Sequence, residues 1–143
     1  MRFDDEFVLD WAASFFTDDF TAAMAKDVLG PAVDEDDKGL RVFLVPTDPR
    51  IERAVIDFLK TPRGREICSV TIKFHEPQSL DIDKIAAVLG PPTEMPRLKP
   101  HAAIPLMFVV ENPAWAGNVQ CLVPQGKPLM HWVESILFNR MHP

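Results

Sequence analysis

Ile51-Glu52-Arg53-Ala54-Val55-Ile56-Asp57-Phe58-Leu59-Lys60 is the stretch on which the fold turns, and two periodicities fit it. Ile51, Ala54, Val55, Phe58 and Leu59 follow helical spacing, and Pro49 suits a first helical turn. Yet Thr61-Pro62-Arg63-Gly64 follows at once, with Pro at the second turn position and Gly at the fourth. That is hairpin chemistry and would make the preceding stretch a strand. Both readings stand at this level.

An internal echo bears on the choice. Val28-Leu29-Gly30-Pro31 recurs as Val88-Leu89-Gly90-Pro91, each time closing a short apolar run. Each copy is followed by a loop, a strand-like stretch (41–46 and 106–111) and a turn with Asp or Asn before Pro (Asp48-Pro49 and Asn112-Pro113). The second copy's counterpart of 51–60 is 118–124, which alternates between Gly117 and Pro124 as a strand does. The C-terminal segment is ambiguous in the same way. Leu129, Trp132, Val133, Ile136 and Leu137 have helical spacing, but 133–138 can be laid on 67–72 as a closing strand.

Two architectures follow. In the first, residues 20–77 and 81–140 form two tandem units, each a helix and an antiparallel meander. In the second, the disputed segments are helices and the chain is an unrepeated α+β sandwich. Either way the expectation is one α+β domain over 1–143, an antiparallel sheet backed by helices on one face. The two-unit layout resembles that of tandem helix-plus-sheet inhibitors of the β-lactamase-inhibitory-protein kind. The resemblance is one of arrangement, and it carries no functional residue across.

Other segments read more simply. Phe3, Phe7, Trp11 and Phe15 recur every four residues, which predicts a helix over 4–16 capped by Asp4 or Asp5. Thr17-Asp18-Asp19 suggests a second cap, with Phe20, Met24 and Val28 as the next stripe. Cys68, Val70, Ile72 and Phe74 alternate with Ser69, Thr71 and Lys73, a strand with one buried face. Ser79 or Asp81 caps a short helix bearing Ile82, Ile85, Ala86 and Leu89. Residues 32–39 read as a polar loop and 91–105, with five prolines, as the longest irregular segment.

Composition narrows the function classes. A net charge of −6 opposes nucleic-acid binding, because the one basic concentration (Arg50, Arg53, Lys60, Arg63 and Arg65) is interleaved with Glu52, Asp57 and Glu66. No apolar run reaches the ~20 residues of a membrane span. The acidic start, Arg2-Phe3-Asp4-Asp5-Glu6, is unlike a signal peptide, so a cytoplasmic setting is expected. Cys68 and Cys121 then read as reduced, buried thiols inside strands.

No motif for chemistry stands out. Phosphate-binding glycine loops, GxSxG and HExxH are absent from the sequence. The acidic run 34–37 lacks the alternating ligands of a calcium loop. His75, His101, His131 and His142 include no i, i+4 pair. The expectation is therefore no catalytic residue, no metal and no cofactor. Surface recognition is what the residues favour. Trp115 sits in a hairpin turn, either as an anchor for a partner or as a cover for the sheet edge. Arg97, Leu98 and His101 lie in the proline-rich segment.

Three functions are weighed on these grounds. The first is a non-catalytic module that binds a protein, a basic one being favoured by the acidic charge, as an inhibitor, immunity protein or adaptor. The second is a small-ligand binder or enzyme with a pocket between the units and a contribution from His75, His101 or His131. The third is a structural subunit of a homo-oligomer.

Overall fold

The computed structural model describes residues 2–97, 99–125 and 132–142. Among them the chain forms helices α1 (Asp5–Phe15), α2 (Ala22–Leu29) and α3 (Ile82–Leu89). Eight strands join into one sheet: β1 (Ala32–Glu35), β2 (Arg41–Leu44), β3 (Ile51–Thr61), β4 (Gly64–Ser79), β5 (Thr93–Glu94), β6 (Ile104–Glu111), β7 (Ala116–Val123) and β8 (Trp132–Met141). The order across the sheet is β1-β2-β3-β4-β8-β7-β6-β5, and every pairing is antiparallel. A helix followed by four strands thus occurs twice along the chain, and the two meanders meet last strand to last strand.

The disputed stretch is β3, paired with β2 on one side and β4 on the other. Thr61 and Gly64 face each other across the Pro62-Arg63 turn. Thr61 Oγ1 donates to the Gly64 carbonyl (2.8 Å) and accepts from the Arg63 amide (3.2 Å). The C-terminal stretch is likewise a strand over Trp132–Met141, so the helical alternative for both segments is overturned. Leu129, on which the helical spacing partly rested, lies outside the described residues.

Each helix begins on a side-chain cap, which satisfies an orphan amide of its first turn. Asp4 accepts from the Phe7 amide, Thr21 from Met24, and Asp81 from Asp83 and Lys84. The cap of α2 is Thr21 rather than the expected 17–19, so Phe20 precedes the helix. Ala25 and Leu29 are its buried residues, while Met24 is 41% exposed. Both Val-Leu-Gly-Pro segments end a helix, with Gly30 at φ 132° and Gly90 at φ 94°. A residue with a Cβ is strained at such angles.

Two further expectations fail at the sheet edges. Residues 32–39 and 91–105 contribute β1 and β5. Each has one neighbour and is exposed throughout, so no apolar alternation marks it.

All three helices bury their apolar stripes in a common core with one face of the sheet. Phe7, Trp11 and Phe15 of α1, Leu29 of α2 and Ile85 of α3 meet Ile56, Val70, Ile72, Phe108, Val119, Ile136 and Phe138. Register accounts for the sheet side of this core. Ile56, Val70, Phe138 and Val119 are successive cross-strand partners, so they share one face.

Candidate functional site

The residues between these inward rungs point to the face that carries none of the described helices. One such rung is Phe43, Val55, Thr71, Leu137, Gln120 and Met107, six cross-strand partners on β2, β3, β4, β8, β7 and β6. Val55 is 6% exposed yet is no part of the core cluster, because its cover comes from its neighbours on the open face. The adjacent rung is Arg41, Asp57, Ser69, Asn139, Asn118 and Val109. It is tied by hydrogen bonds. Arg41 Nε donates to Asp57 Oδ1 (2.7 Å), and Ser69 Oγ donates to Asp57 Oδ2 (3.1 Å). Asn139 Nδ2 and Gln120 Nε2 both donate to Asn118 Oδ1 (3.3 and 3.1 Å). On the other side, the rung Arg53, Lys73, Ser135, Leu122 and Pro105 begins with two cations. Lys73 Nζ pairs with Glu52 at 3.1 Å. The open face is therefore a row of apolar and uncharged side chains with hydrogen-bonding rows beside it. Val109 is 52% exposed within it.

A second constellation lies at the end of the sheet where β8 finishes. Arg140 is 7% exposed and continues the inward-facing series Ile136, Phe138, Arg140. Its Nη1 donates to the carbonyls of Phe15 (2.6 Å) and Thr17 (2.9 Å), and its Nε to that of Ile67 (3.0 Å). Two of these carbonyls close α1, where a cation also meets the negative end of the helix dipole. The guanidinium sits 4.1 Å from the Trp115 ring centroid and 4.9 Å from that of Phe15. Burial lowers the basicity of Arg140, while the carboxylates of Glu66 and Asp18 oppose that fall.

Trp115 is held from every side. Its indole Nε1 donates to Asp18 Oδ1 (3.0 Å), and its amide donates to Asn112 Oδ1 (2.8 Å). Asn112 Nδ2 in turn donates to the Phe16 carbonyl (3.0 Å). His142 stacks on the indole at 3.9 Å and shares a hydrogen bond with Glu66 Oε2 (3.1 Å). The tryptophan expected either as an exposed anchor or as a cover for the sheet edge is 5% exposed, and it packs over the end of β8 on Arg140 and His142 rather than over an edge strand.

The sequence-nominated residues do not form one patch. Arg97 and His101 are exposed in the segment that leads into Ile104, where β6 begins. Trp115 lies beyond the other end of β6, past Glu111. Eight residues of strand separate the two ends, about 24 Å at ~3.4 Å per step. Leu98 and His131 lie outside the described residues. His75 is exposed in β4, and its amide donates to the Arg50 carbonyl (2.9 Å). Cys68 and Cys121 are free thiols on β4 and β7, with β8 between them; Cys121 is buried, but Cys68, expected to be buried, is only half-buried. Burial pushes the Cys121 thiol up to about 12.

Sequence reasoning passed over Arg140 and the open-face rungs. Arg140 had a signal: it is a charge on the inward phase of an alternating strand. Among the described residues no helix is long and apolar enough to cross a membrane, and no three of His, Cys, Asp and Glu gather as a metal site. Comparison with family models, with curated proteins and with solved structures finds no match in any of the three.

Proposed function

We propose that this chain is a non-catalytic module that binds a basic protein through the helix-free face of its sheet. The observation that carries the reading is the rung from Phe43 to Met107, whose apolar members point away from the core and have none of the described helices over them. Eight strands at ~4.8 Å spacing and a length of about 24 Å give at most about 800 Å² in plan. That is one partner's share of a standard interface. Val55, Leu137 and Met107 supply apolar contact, and Asn118, Asn139 and Gln120 supply donors and acceptors around it. This mixture is typical of non-obligate interfaces.

The partner's charge follows from the chain's own. At a distance a net −6 draws a cationic protein and raises its on-rate, and it repels a second copy of this chain, while at contact such a partner has to place its own charges away from Arg41, Arg53 and Lys73. Arg97 and His101, with Leu98 between them in sequence, are proposed as contacts at the rim, because Met95 donates to the Pro105 carbonyl (2.8 Å) and so ties that segment to the sheet end. Trp115 serves from inside by holding the β6–β7 turn. A cytoplasmic location belongs to the same reading, and the two free thiols support it.

The test is affinity capture from the source lysate with wild-type bait and with Leu137→Glu bait of matching thermal stability. A basic protein retained by the first and lost from the second supports the proposal. Hydrogen exchange should then slow in β4, β7 and β8 of the complex. Capture that is indifferent to Leu137→Glu, or protection confined to the helices, overturns it.

A further inference from the structure

Below Trp115 a cleft of about 530 Å³ opens between the α1–α2 connection and the β3–β4 hairpin. Its size falls in the range of small-molecule sites. Arg140 lines it, as do Arg63, Glu66 and Asp18. Phe20, Phe58, Ile67 and Trp115 give it apolar walls.

Arg140 has capacity to spare. Its Nε and Nη1 are committed to the three carbonyls described above. Its Nη2 has no hydrogen-bond partner among the described residues, and it is not sealed from solvent. An arginine with nine-tenths of its surface buried, a fork nitrogen left without a partner and a cleft that it lines is a preformed anion donor. Arg63 stands exposed at the rim, and its guanidinium also has no partner among the described residues.

The charge balance selects the anion. Arg63, Arg65 and Arg140 face Asp18 and Glu66 across the cleft, and Arg65 is shared with Glu35 at 3.5 Å. One negative charge evens this balance, whereas a phosphate dianion would meet two carboxylates. The aromatic walls add a place for an apolar group beside the charge.

We propose that this cleft binds a carboxylate carrying an adjacent apolar group, with one carboxylate oxygen on Arg140 Nη2, Arg63 approaching from the rim, and the apolar group against Phe58 and Phe20. The same chemistry is presented by a free aryl-alkyl acid and by the C-terminal residue of a peptide. The site is separate from the open sheet face, so neither reading rests on the other.

N-acetyl-L-phenylalanine, N-acetyl-L-phenylalaninamide, the peptide Ala-Ala-Ala-Phe and inorganic phosphate would each be titrated into the intact protein. The readouts are the Trp115 Nε1–H and Arg140 Nε–H resonances in 15N correlation spectra. Saturable shifts with the acid, at least tenfold weaker with the amide, are expected. The Arg63→Ala variant should weaken the acid at least threefold, with the spectrum otherwise unchanged. Tighter binding of the tetrapeptide than of the N-acetyl acid assigns the site to peptide C-termini, and the reverse assigns it to free acids. Equal binding of acid and amide, preference for phosphate, or no saturable shift with the acid or the tetrapeptide overturns the proposal.

Discussion

Arg140 and Trp115 face each other at 4.1 Å, guanidinium over indole, although 24 residues lie between them in the chain. The contact joins the last strand to the β6–β7 turn, and through Phe15 and Thr17 it reaches the end of α1. It is a structural tie whose loss should be large.

Arg140→Met should destabilise the protein by about 3 kcal/mol, because three carbonyls lose a charged donor inside the fold. Arg140→Lys should recover little of this, since one ammonium cannot span donors set in a planar fork. Urea unfolding of both variants checks the pair. Full recovery by lysine would show that charge alone sufficed.

The two helix-ending glycines should separate in cost. Both have φ values that a Cβ strains, so Gly90→Ala should cost about 1–3 kcal/mol. A Cβ at Gly90 meets nothing nearby, whereas one at Gly30 collides with the Val45 carbonyl. Gly30→Ala should therefore cost a further ~1–3 kcal/mol for the forced backbone shift. Thermal melts of the two variants give the comparison.

Faces of β4 should respond oppositely. Val70 is fully buried beneath the helices, so Val70→Ala should cost about 1–3 kcal/mol. Thr71, next in sequence and on the open face, should tolerate Val within about 0.5 kcal/mol. Chemical denaturation of each single variant tests the assignment of faces.

Acid sensitivity should trace in part to Asp48. Hydrogen bonds from Arg50 hold its carboxyl down at about 2. The folded state thus binds this proton less readily than the unfolded chain, where an aspartate titrates near ~4. The contribution is complete above the unfolded value and is lost as pH falls through the folded one. Asp48→Asn should flatten the stability curve between about pH 4 and pH 2 and leave its slope above pH 5 unchanged. Denaturation midpoints across that range provide the check.

Much of this fold was legible in the sequence, and the failures have a common cause. The strand over 67–74 declared itself because one face is apolar and the other polar. β3 did not, although both strands lie inside the sheet, because apolar residues sit on both of its faces. Ile56 packs under the helices while Val55 is covered on the open face, so apolar residues occupy both phases and imitate a helix. β1 and β5 failed in the opposite way, being polar on both faces. Phe20 was drawn into α2 because its spacing to Met24 is helical, although it packs from the residue before the cap. The open face was hidden for a simpler reason. Phe43, Leu137 and Met107 come into one row only through strand register, and in that row the pairing of β4 with β8 joins Thr71 to Leu137, 66 positions apart.

Affinity of the captured basic partner for wild type and for Leu137→Glu, each at ~50 mM and ~200 mM salt, tests the open-face reading most directly. The account predicts at least a tenfold loss of affinity on substitution at either salt, and a slower on-rate for wild type at the higher salt. Equal affinity of the two proteins at both salts would contradict it.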